Sequence, residues 1–293
     1  MNARSFPVSP TVGAALEWAL RELQQTESGP LLAQVLLGSL LGQNRSWIIA
    51  HPEEALPPRL ASAYPSLVRR ARGGEPLPYL TGIQEFFGLE FEVTPDVLIP
   101  RPETELLVST ALDWLTDNLR ETGRAAASIR AVDLGTGSGC IAAAITVHTA
   151  GLSMIASDIS SRALAIAARN FSTLGVRGRV RLVQADLLTA LRGPIDLLCA
   201  NLPYALSGSL EGSPVVRFEP RQAIDGGPDG LRLVARAIEQ SAGRMAAGGL
   251  ALFELDAAHA DDARKLAKSL FPNALVKVKK DLAGWERLLI ILT

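Results

Sequence analysis

The chain has 293 residues, 48% of them hydrophobic, which predicts one large domain with its own core and a smaller second domain. Lys and Arg number 29 against 30 Asp and Glu, and this near balance disfavours a strongly basic nucleic-acid binder. Two cysteines disfavour a disulfide framework, and three histidines without metal-ligand spacing disfavour a metal site. The lack of a long apolar run disfavours a signal peptide and a membrane span. Together these features favour a cytoplasmic protein.

Apolar residues recur at helical spacing through residues 1–73, which predicts a small N-terminal helical bundle. Pro10, Pro30 and Pro57 each stand where a helix would begin. Proline suits the first turn of a helix because its missing N–H would have no partner there. Gly73 then breaks the pattern. Two interpretations stay open: a structural appendage, or a domain that recognises a substrate.

Residues 74–100 alternate short β-prone pieces with turn residues and predict a β-hairpin that links two domains. Arg101 follows between Pro100 and Pro102, at the start of an amphipathic helix. The plain interpretation of this motif is a helix start, because proline and glutamate suit a first turn. An arginine between two prolines is a costly way to begin a helix, so the motif also suggests that Arg101 is positioned at a site.

Residues 101–293 are expected to form the main domain, and its central motif is a glycine loop. An apolar run at 129–134 stops in the sequence Asp-Leu-Gly-Thr-Gly-Ser-Gly, and an apolar helix follows from Ile141. Strand, glycine loop and helix in this order place backbone N–H groups against a nucleotide-like ligand. The glycines permit positive φ and let a ligand approach the backbone. The alternative is a tight strand-to-helix turn without a ligand.

Two further acidic residues end the next strands. Asp158 lies roughly 20 residues beyond the glycine loop, where a nucleotide-binding unit keeps its ribose-binding acid. It would equally serve as the N-cap of the following helix. Asp186 is placed to accept a hydrogen bond from an adenine amino group, with Leu187 packing on the ring. The alternative for Asp186 is an ordinary turn residue.

Asn201, Leu202, Pro203 and Tyr204 follow an apolar strand at 195–200, at the end where α/β sheets bind ligands. The side-chain carbonyl of Asn201 and the main-chain carbonyl of Leu202 can accept both hydrogens of a planar amide or amine. This would direct the nitrogen lone pair at an electrophilic methyl group, so that catalysis is mostly positioning. Pro203 stiffens the loop and Tyr204 can stack on a flat substrate group. The alternative is a strand-terminal turn.

Strands and helices alternate from about residue 129 to residue 270, which predicts a parallel sheet covered by helices on both faces. The last two strands, at 274–280 and 287–292, lack an intervening helix and are expected to pair antiparallel. A Rossmann-like α/β sheet of seven strands with a reversed last strand is the pattern of the class I S-adenosylmethionine (SAM) methyltransferases. The glycine loop, with Asp133 before its first glycine, resembles motif I of these enzymes.

Over nearly its full length the chain resembles the protein-(glutamine) methyltransferases that modify peptide chain release factors. The motifs that carry the resemblance are His51-Pro52-Glu53, Gly74-Glu75-Pro76, Tyr79-Leu80-Thr81-Gly82, Glu85-Phe86-Phe87-Gly88-Leu89, Leu98-Ile99-Pro100-Arg101-Pro102-Glu103-Thr104-Glu105, the loop from Asp133 to Gly139, Asn201 to Tyr204, Glu219-Pro220-Arg221-Gln222-Ala223, Asp225-Gly226-Gly227, Asp229-Gly230-Leu231, and Lys280-Asp281-Leu282-Ala283-Gly284 with Glu286-Arg287. Their shared order and spacing make the resemblance specific.

The resemblance implies transfer of a methyl group from SAM, with S-adenosylhomocysteine as product, to the side-chain amide of the glutamine in the Gly-Gly-Gln motif of class I release factors. It implies the following SAM contacts: Thr104, Asp133, Gly135, Thr136, Gly137, Ser138, Gly139, Asp158, Asp186, Leu187 and Asn201. It implies a substrate site made of Arg101, Asn201, Leu202, Pro203 and Tyr204, of which Asn201, Pro203 and Tyr204 act in catalysis. The helical domain is implied to hold the release factor. A monomer without metal, membrane or stable nucleic-acid partner is expected.

Two departures and two alternatives accompany the resemblance. The family's usual clamp has proline where this chain has Leu202, so the loop has one fewer residue that restricts its backbone. After Glu254 the chain has Ala257-Ala258-His259-Ala260, where the family more often has a Gly and a Gln. Asn-Leu-Pro-Tyr also occurs in ribosomal RNA adenine dimethyltransferases, so an N6-adenine methyltransferase acting on RNA or DNA is the alternative enzyme. An inactive SAM-binding module is the alternative of another class.

Overall fold

The computed structural model describes residues 6–210 and 215–293. The chain divides into two compact units, the first ending at Gly82 and the second beginning at Ile83. The predicted boundaries at residues 73 and 100 therefore differ from the division that the contacts give, and the assignment of three segments stays a prediction. In the described ranges, no helix is both long and apolar enough to cross a membrane.

The first unit is helical, and its elements are α1 (Val12–Glu22), α2 (Gly29–Leu41), α3 (Arg45–Ala50), α4 (Pro58–Arg72) and α5 (Leu77–Thr81). Side chains start two of them: Thr11 accepts the N–H of Ala14, and Asn44 accepts the N–H of Trp47. The fully buried Tyr64 ties α4 to α2 by donating its hydroxyl to the carbonyl of Ala33 at 2.8 Å. The predicted helical bundle is present.

The segment predicted as a hairpin linker has two parts. Its first part forms α5, because Leu80 is buried in the core of the helical unit. Its second part is a hairpin of β1 (Ile83–Phe86) and β2 (Leu89–Glu92), whose two-residue turn has positive φ at both Phe87 and Gly88. The hairpin belongs to the second unit, where Asn170 accepts the N–H of Glu92 at 2.7 Å.

After the hairpin, the second unit alternates helices and strands. In chain order they are α6 (Glu105–Thr122), β3 (Ala131–Leu134), α7 (Cys140–His148), β4 (Met154–Asp158), α8 (Ser161–Thr173), β5 (Val180–Gln184), β6 (Ile195–Ala200), β7 (Ala205–Leu206), β8 (Asp225–Gly227), α9 (Arg232–Ser241), β9 (Met245–Glu254), α10 (Ala260–Leu270), β10 (Leu275–Lys280) and β11 (Glu286–Leu292). The short strands β7 and β8 pair with each other, apart from the main sheet.

The main sheet has seven strands in the order β10-β11-β9-β6-β3-β4-β5. The five strands from β9 to β5 run parallel, and β11 runs antiparallel to both of its neighbours, β9 and β10. The predicted α/β fold with a reversed last strand is confirmed. The reversed strand lies one position inside the sheet, because β10 occupies the edge.

Each face of the sheet carries its own core. On one face, the apolar sides of α6, α7 and α8 pack with residues such as Leu197. On the other face, α9 and α10 pack with residues such as Leu198. Successive residues of β6 therefore point to opposite covered faces, and the whole strand is buried. Because β3 has β4 on one side and β6 on the other, a crevice is expected at the carboxyl ends of these strands.

Candidate active site

The glycine loop joins the carboxyl end of β3 to α7. Gly135, Gly137 and Gly139 all have positive φ. A side chain at Gly139 would place its Cβ 2.6 Å from Phe171, and one at Gly135 would place its Cβ 2.9 Å from Leu202 Cδ2. Glycine is therefore required at both positions for the backbone conformation and for space. The predicted close approach of a ligand to the loop backbone stays a prediction.

Asp133 supports this loop from below. Its carboxylate is fully buried and accepts the Thr136 hydroxyl at 2.6 Å and the N–H of Ala142 at 3.3 Å. Burial raises the pKa of Asp133 to about 7, although the hydrogen bonds act in the opposite direction. The structure gives Asp133 a role in holding the loop, whereas the predicted contact with SAM stays a prediction.

Asp158 is the carboxylate at the end of β4. Its Oδ2 accepts the N–H of Gly137 at 2.9 Å, and its Oδ1 accepts the N–H of Ser160 at 2.8 Å. The N-cap of α8 is Ser160 rather than Asp158, because its side chain accepts the N–H of Ala163. Burial raises the pKa of Asp158 above its usual value. A carboxylate has about four acceptor sites, so Asp158 can still accept a further donor such as a ribose hydroxyl.

Asp186 and Leu187 follow β5. The Asp186 carboxylate is paired with Arg236 on α9, with 2.7 Å between Oδ2 and Nη2. Leu187 is buried and has a φ of 52°, an uncommon conformation for a branched side chain. The sequence did not indicate Arg236, and its presence means that an adenine amino group would share the Asp186 carboxylate with a cation.

Asn201 follows β6, and its Nδ2 donates to the Thr104 hydroxyl at 2.9 Å. Thr104 is buried, and its hydroxyl interacts in turn with the carboxyl of Glu254 at the end of β9. Tyr204 donates its hydroxyl to Glu254 Oε1 at 3.3 Å. Since Nδ2 is engaged by Thr104, the Asn201 carbonyl oxygen is the atom left to accept hydrogen from a substrate.

Leu202 and Arg101 complete the surroundings of the clamp. Leu202 is only 4% exposed and packs against Gly135, so the residue that departs from the usual proline joins the clamp to the glycine loop. The Arg101 guanidinium lies 2.6 Å from the carboxylate of Glu219, whose side chain is buried. Burial raises the pKa of Glu219 even though Arg101 acts in the opposite direction. This pair fixes Arg101 in place.

These groups surround one cavity of about 570 Å³, a volume typical of small-molecule sites. The predicted residues that line it are Arg101, Thr104, Gly135, Thr136, Gly137, Ser138, Asp158, Asp186, Leu187, Asn201, Leu202 and Pro203. The predicted residues Asp133, Gly139 and Tyr204 do not line it. Sequence reasoning assigned no role to Glu254, Glu219 or Arg236, although Glu219 lies in one of the motifs that carry the resemblance. Glu254 had one signal, since it is a carboxylate at the end of an otherwise apolar strand.

Known families match both parts of the chain. Residues 14–82 match the PrmC N-terminal domain, and residues 107–217 match the methyltransferase small domain. The release factor glutamine methyltransferase of Moorella thermoacetica is 39% identical over 281 residues, which cover 94% of this chain and 96% of that protein. The release factor glutamine methyltransferase of Bordetella pertussis is 40% identical over 264 residues, which cover 88% of this chain and 93% of that protein.

A solved structure shares the fold. The catalytic domain of human METTL16, in complex with a hairpin of the MAT2A 3′UTR, superposes with a TM-score of 0.55 at 17% identity, covering 74% of this chain and 80% of that chain. At this level of identity the likeness concerns the fold alone. The near full-length matches at 39% and 40% identity decide the family. This chain belongs to the release factor glutamine methyltransferase family.

Proposed function

We propose that this protein transfers a methyl group from SAM to the side-chain amide nitrogen of the glutamine in the Gly-Gly-Gln motif of class I release factors. The observation that carries the proposal is the Asn201 amide, whose Nδ2 is engaged by Thr104 at the wall of the cavity that the glycine loop also lines. The relatives named as release factor glutamine methyltransferases support the choice of substrate.

Three features of the cavity support SAM as the methyl donor. Gly135 and Gly137 line the cavity with backbone that carries no side chain, and the Asp158 carboxylate, which also lines it, would accept from ribose hydroxyls. Asp186 and Leu187 would face the adenine. When bound, SAM supplies an electrophilic methyl group on a sulfonium. Thr104, the backbone of the glycine loop and Asn201 would hold it beside the clamp.

Asn201 and Leu202 would orient the glutamine. The Asn201 side-chain carbonyl and the Leu202 main-chain carbonyl accept the two amide hydrogens, which directs the nitrogen lone pair toward the methyl group. The new N–C bond forms as the methyl–sulfur bond breaks, and the nitrogen then releases a proton to solvent. Pro203 and Tyr204 fix the loop, and Arg101 contacts the release factor. The rate then depends on positioning rather than on a strong base.

The remaining roles follow from the same assignment. The domain predicted at residues 1–73 would bind the release factor outside its Gly-Gly-Gln loop, and the protein would act as a monomer. Its proposed substrate belongs to translation, so we place the reaction in the cytoplasm. The free, buried thiols of Cys140 and Cys199 agree with a reducing compartment.

A labelled methyl-transfer assay tests the proposal. The substrates are a purified class I release factor, the same factor with its Gly-Gly-Gln glutamine changed to alanine, and small-subunit ribosomal RNA. Label on the unmodified factor alone is the expected result. Label on RNA and none on protein would support the N6-adenine alternative instead. SAM binding without label on any substrate would support the inactive binding module.

A further inference from the structure

Glu254 is a buried carboxyl that the proposed reaction does not use directly. It is the last residue of β9 and is 1% exposed. One of its oxygens, Oε1, accepts the Tyr204 hydroxyl at 3.3 Å. Its other oxygen, Oε2, is buried without a hydrogen-bond partner among the described residues. Burying a carboxyl without full pairing is unfavourable, so we expect Glu254 to have a structural or functional role that explains its position.

The neighbouring Thr104 indicates this role. A hydroxyl carries one proton, and it can accept from one group while it donates to another. Thr104 accepts from Asn201 Nδ2 at 2.9 Å, so its own proton is left for a different acceptor. The Glu254 carboxyl is the nearby acceptor: interaction with the Thr104 hydroxyl lowers the pKa of Glu254, and the buried Oε2 has no other partner among the described residues. The groups form a chain from Glu254 through Thr104 to Asn201.

We propose that Glu254 is a positioning residue whose carboxylate, by accepting the Thr104 proton, makes Thr104 an acceptor for Asn201 and so turns the Asn201 carbonyl oxygen toward the substrate. The effect of Glu254 on the substrate rests on the proposed function. The carboxylate sets the direction of the hydrogen bonds that link Glu254, Thr104 and Asn201, because an ionised carboxyl can only accept hydrogen bonds. It fixes which end of the Asn201 amide enters the cavity.

A protonated Glu254 removes this direction. The carboxyl then donates a proton of its own, and Thr104 becomes free to donate to the Asn201 carbonyl oxygen. The amide of Asn201 then presents Nδ2 to the cavity. An N–H group there opposes the N–H groups of a glutamine amide, so the clamp no longer accepts hydrogen from the substrate.

Burial of the Glu254 carboxyl brings this change near neutral pH. Burial raises the pKa of Glu254 to about 7, and Glu103 acts in the same direction, whereas the hydroxyls of Thr104 and Tyr204 and the cation of Arg287 act in the opposite direction. The charge of Glu254 also contributes to raising the pKa of the buried Cys140 thiol. Below this pKa the carboxyl is protonated, so we expect the correct Asn201 orientation to be lost as the pH falls.

The first measurement is the pH dependence of the Asn201 side-chain amide by nitrogen-resolved NMR, with the resonance assigned by its loss in N201A. In the wild-type protein the resonance shifts with a midpoint near pH 7. Both E254Q and T104V abolish the shift, while E219Q, which neutralises another buried carboxyl, retains it. A pH-independent wild-type resonance, or a shift that survives in E254Q or T104V, overturns the inference. This measurement needs no substrate.

The second measurement is kcat for release-factor methylation at saturating SAM between about pH 6 and pH 9. We expect the wild-type kcat to rise with pH through the same midpoint as the NMR shift. E254Q should have a flat profile and a kcat about tenfold lower at high pH. E254D, which keeps the carboxylate, regains part of the rise. A rise that persists in E254Q overturns the inference and assigns the titration to another group, such as Asp133. Absence of any wild-type methylation overturns the proposed function, and the NMR result then still decides the role of Glu254.

Discussion

The glycine loop and the Asn201 clamp lie on one cavity but are built in different ways. The loop is held by partners near in sequence or on the adjacent strand: Thr136 donates to Asp133 three residues earlier, and Gly137 donates to Asp158 at the end of β4. The clamp depends on residues 97 and 50 positions away, since Asn201 donates to Thr104 and Tyr204 donates to Glu254. Apart from the packing of Leu202 against Gly135, binding and orientation therefore rest on separate sets of contacts, and changes in one set should leave the other largely in place.

The largest effect is expected from G139A in the loop. Its Cβ would lie 2.6 Å from the buried Phe171, and its φ of 85° disfavours any side chain. We expect the free energy of unfolding to fall by about 2 to 4 kcal/mol, from overpacking and backbone strain together. Urea denaturation measures it.

The matched control for this prediction is G175A. Gly175 also has positive φ, but no atom lies within 4 Å of a Cβ there. It should lose only the backbone part, about 1 kcal/mol. Equal losses in the two variants would show that the contact with Phe171 is not what requires glycine at 139.

A smaller effect is expected from D158N, which should weaken SAM binding about 10- to 100-fold by calorimetry. The amide can accept only one of the two backbone N–H groups that Asp158 now accepts, and it lacks the charge that ribose hydroxyls favour. Because the clamp is untouched, kcat at saturating SAM should change little.

The control for D158N is D96N, at an exposed carboxylate of the cavity rim whose ion pair with Arg162 is 3.5 Å long. Exposed pairs of this kind contribute little, so SAM affinity should stay within about twofold. A fall in kcat as large as the fall in affinity for D158N would mean that binding and orientation are not separate.

The smallest effect is expected from R236A. The pair of Arg236 and Asp186 is 41% and 43% exposed, so its loss should change the free energy of SAM binding by less than about 0.5 kcal/mol. R120A, which removes an exposed pair with Asp117 on α6, is the control. A loss of affinity above about tenfold in R236A alone would show that the arginine contacts the ligand itself.

The sequence predicts the glycine loop better than it predicts the partners of the Asn201 clamp. The glycine loop and Asp158 were predictable because parallel strands that are adjacent in sequence place their carboxyl ends together. The sheet, with its reversed last strand, was predictable because a helix separates each parallel pair and none separates the last two strands. The Leu77–Thr81 helix was not predicted, because burial of Leu80 in the helical core overrides its β propensity.

The partners of the clamp could not be read from local patterns. Glu254 looks like an ordinary strand end, and Thr104 looks like part of a helix start. Only the sheet order, which places β9 beside β6, brings the carboxyl near Asn201 and Tyr204. The same holds for Glu219, whose partner Arg101 lies 118 positions earlier. Motifs therefore located the site, whereas the fold supplied the groups that orient it.

The most direct test of the account compares SAM affinity with methyl transfer in N201A. We expect affinity, measured by calorimetry, to stay within about threefold of wild type, because Asn201 is one of many proposed SAM contacts and the glycine loop and Asp158 are unchanged. Transfer to the release factor should fall by about 10²- to 10³-fold, because the glutamine amide loses a fixed acceptor. This result would show that the clamp orients the glutamine amide and that the glycine loop and Asp158 bind SAM. Equal losses of affinity and transfer would contradict the division on which the account depends.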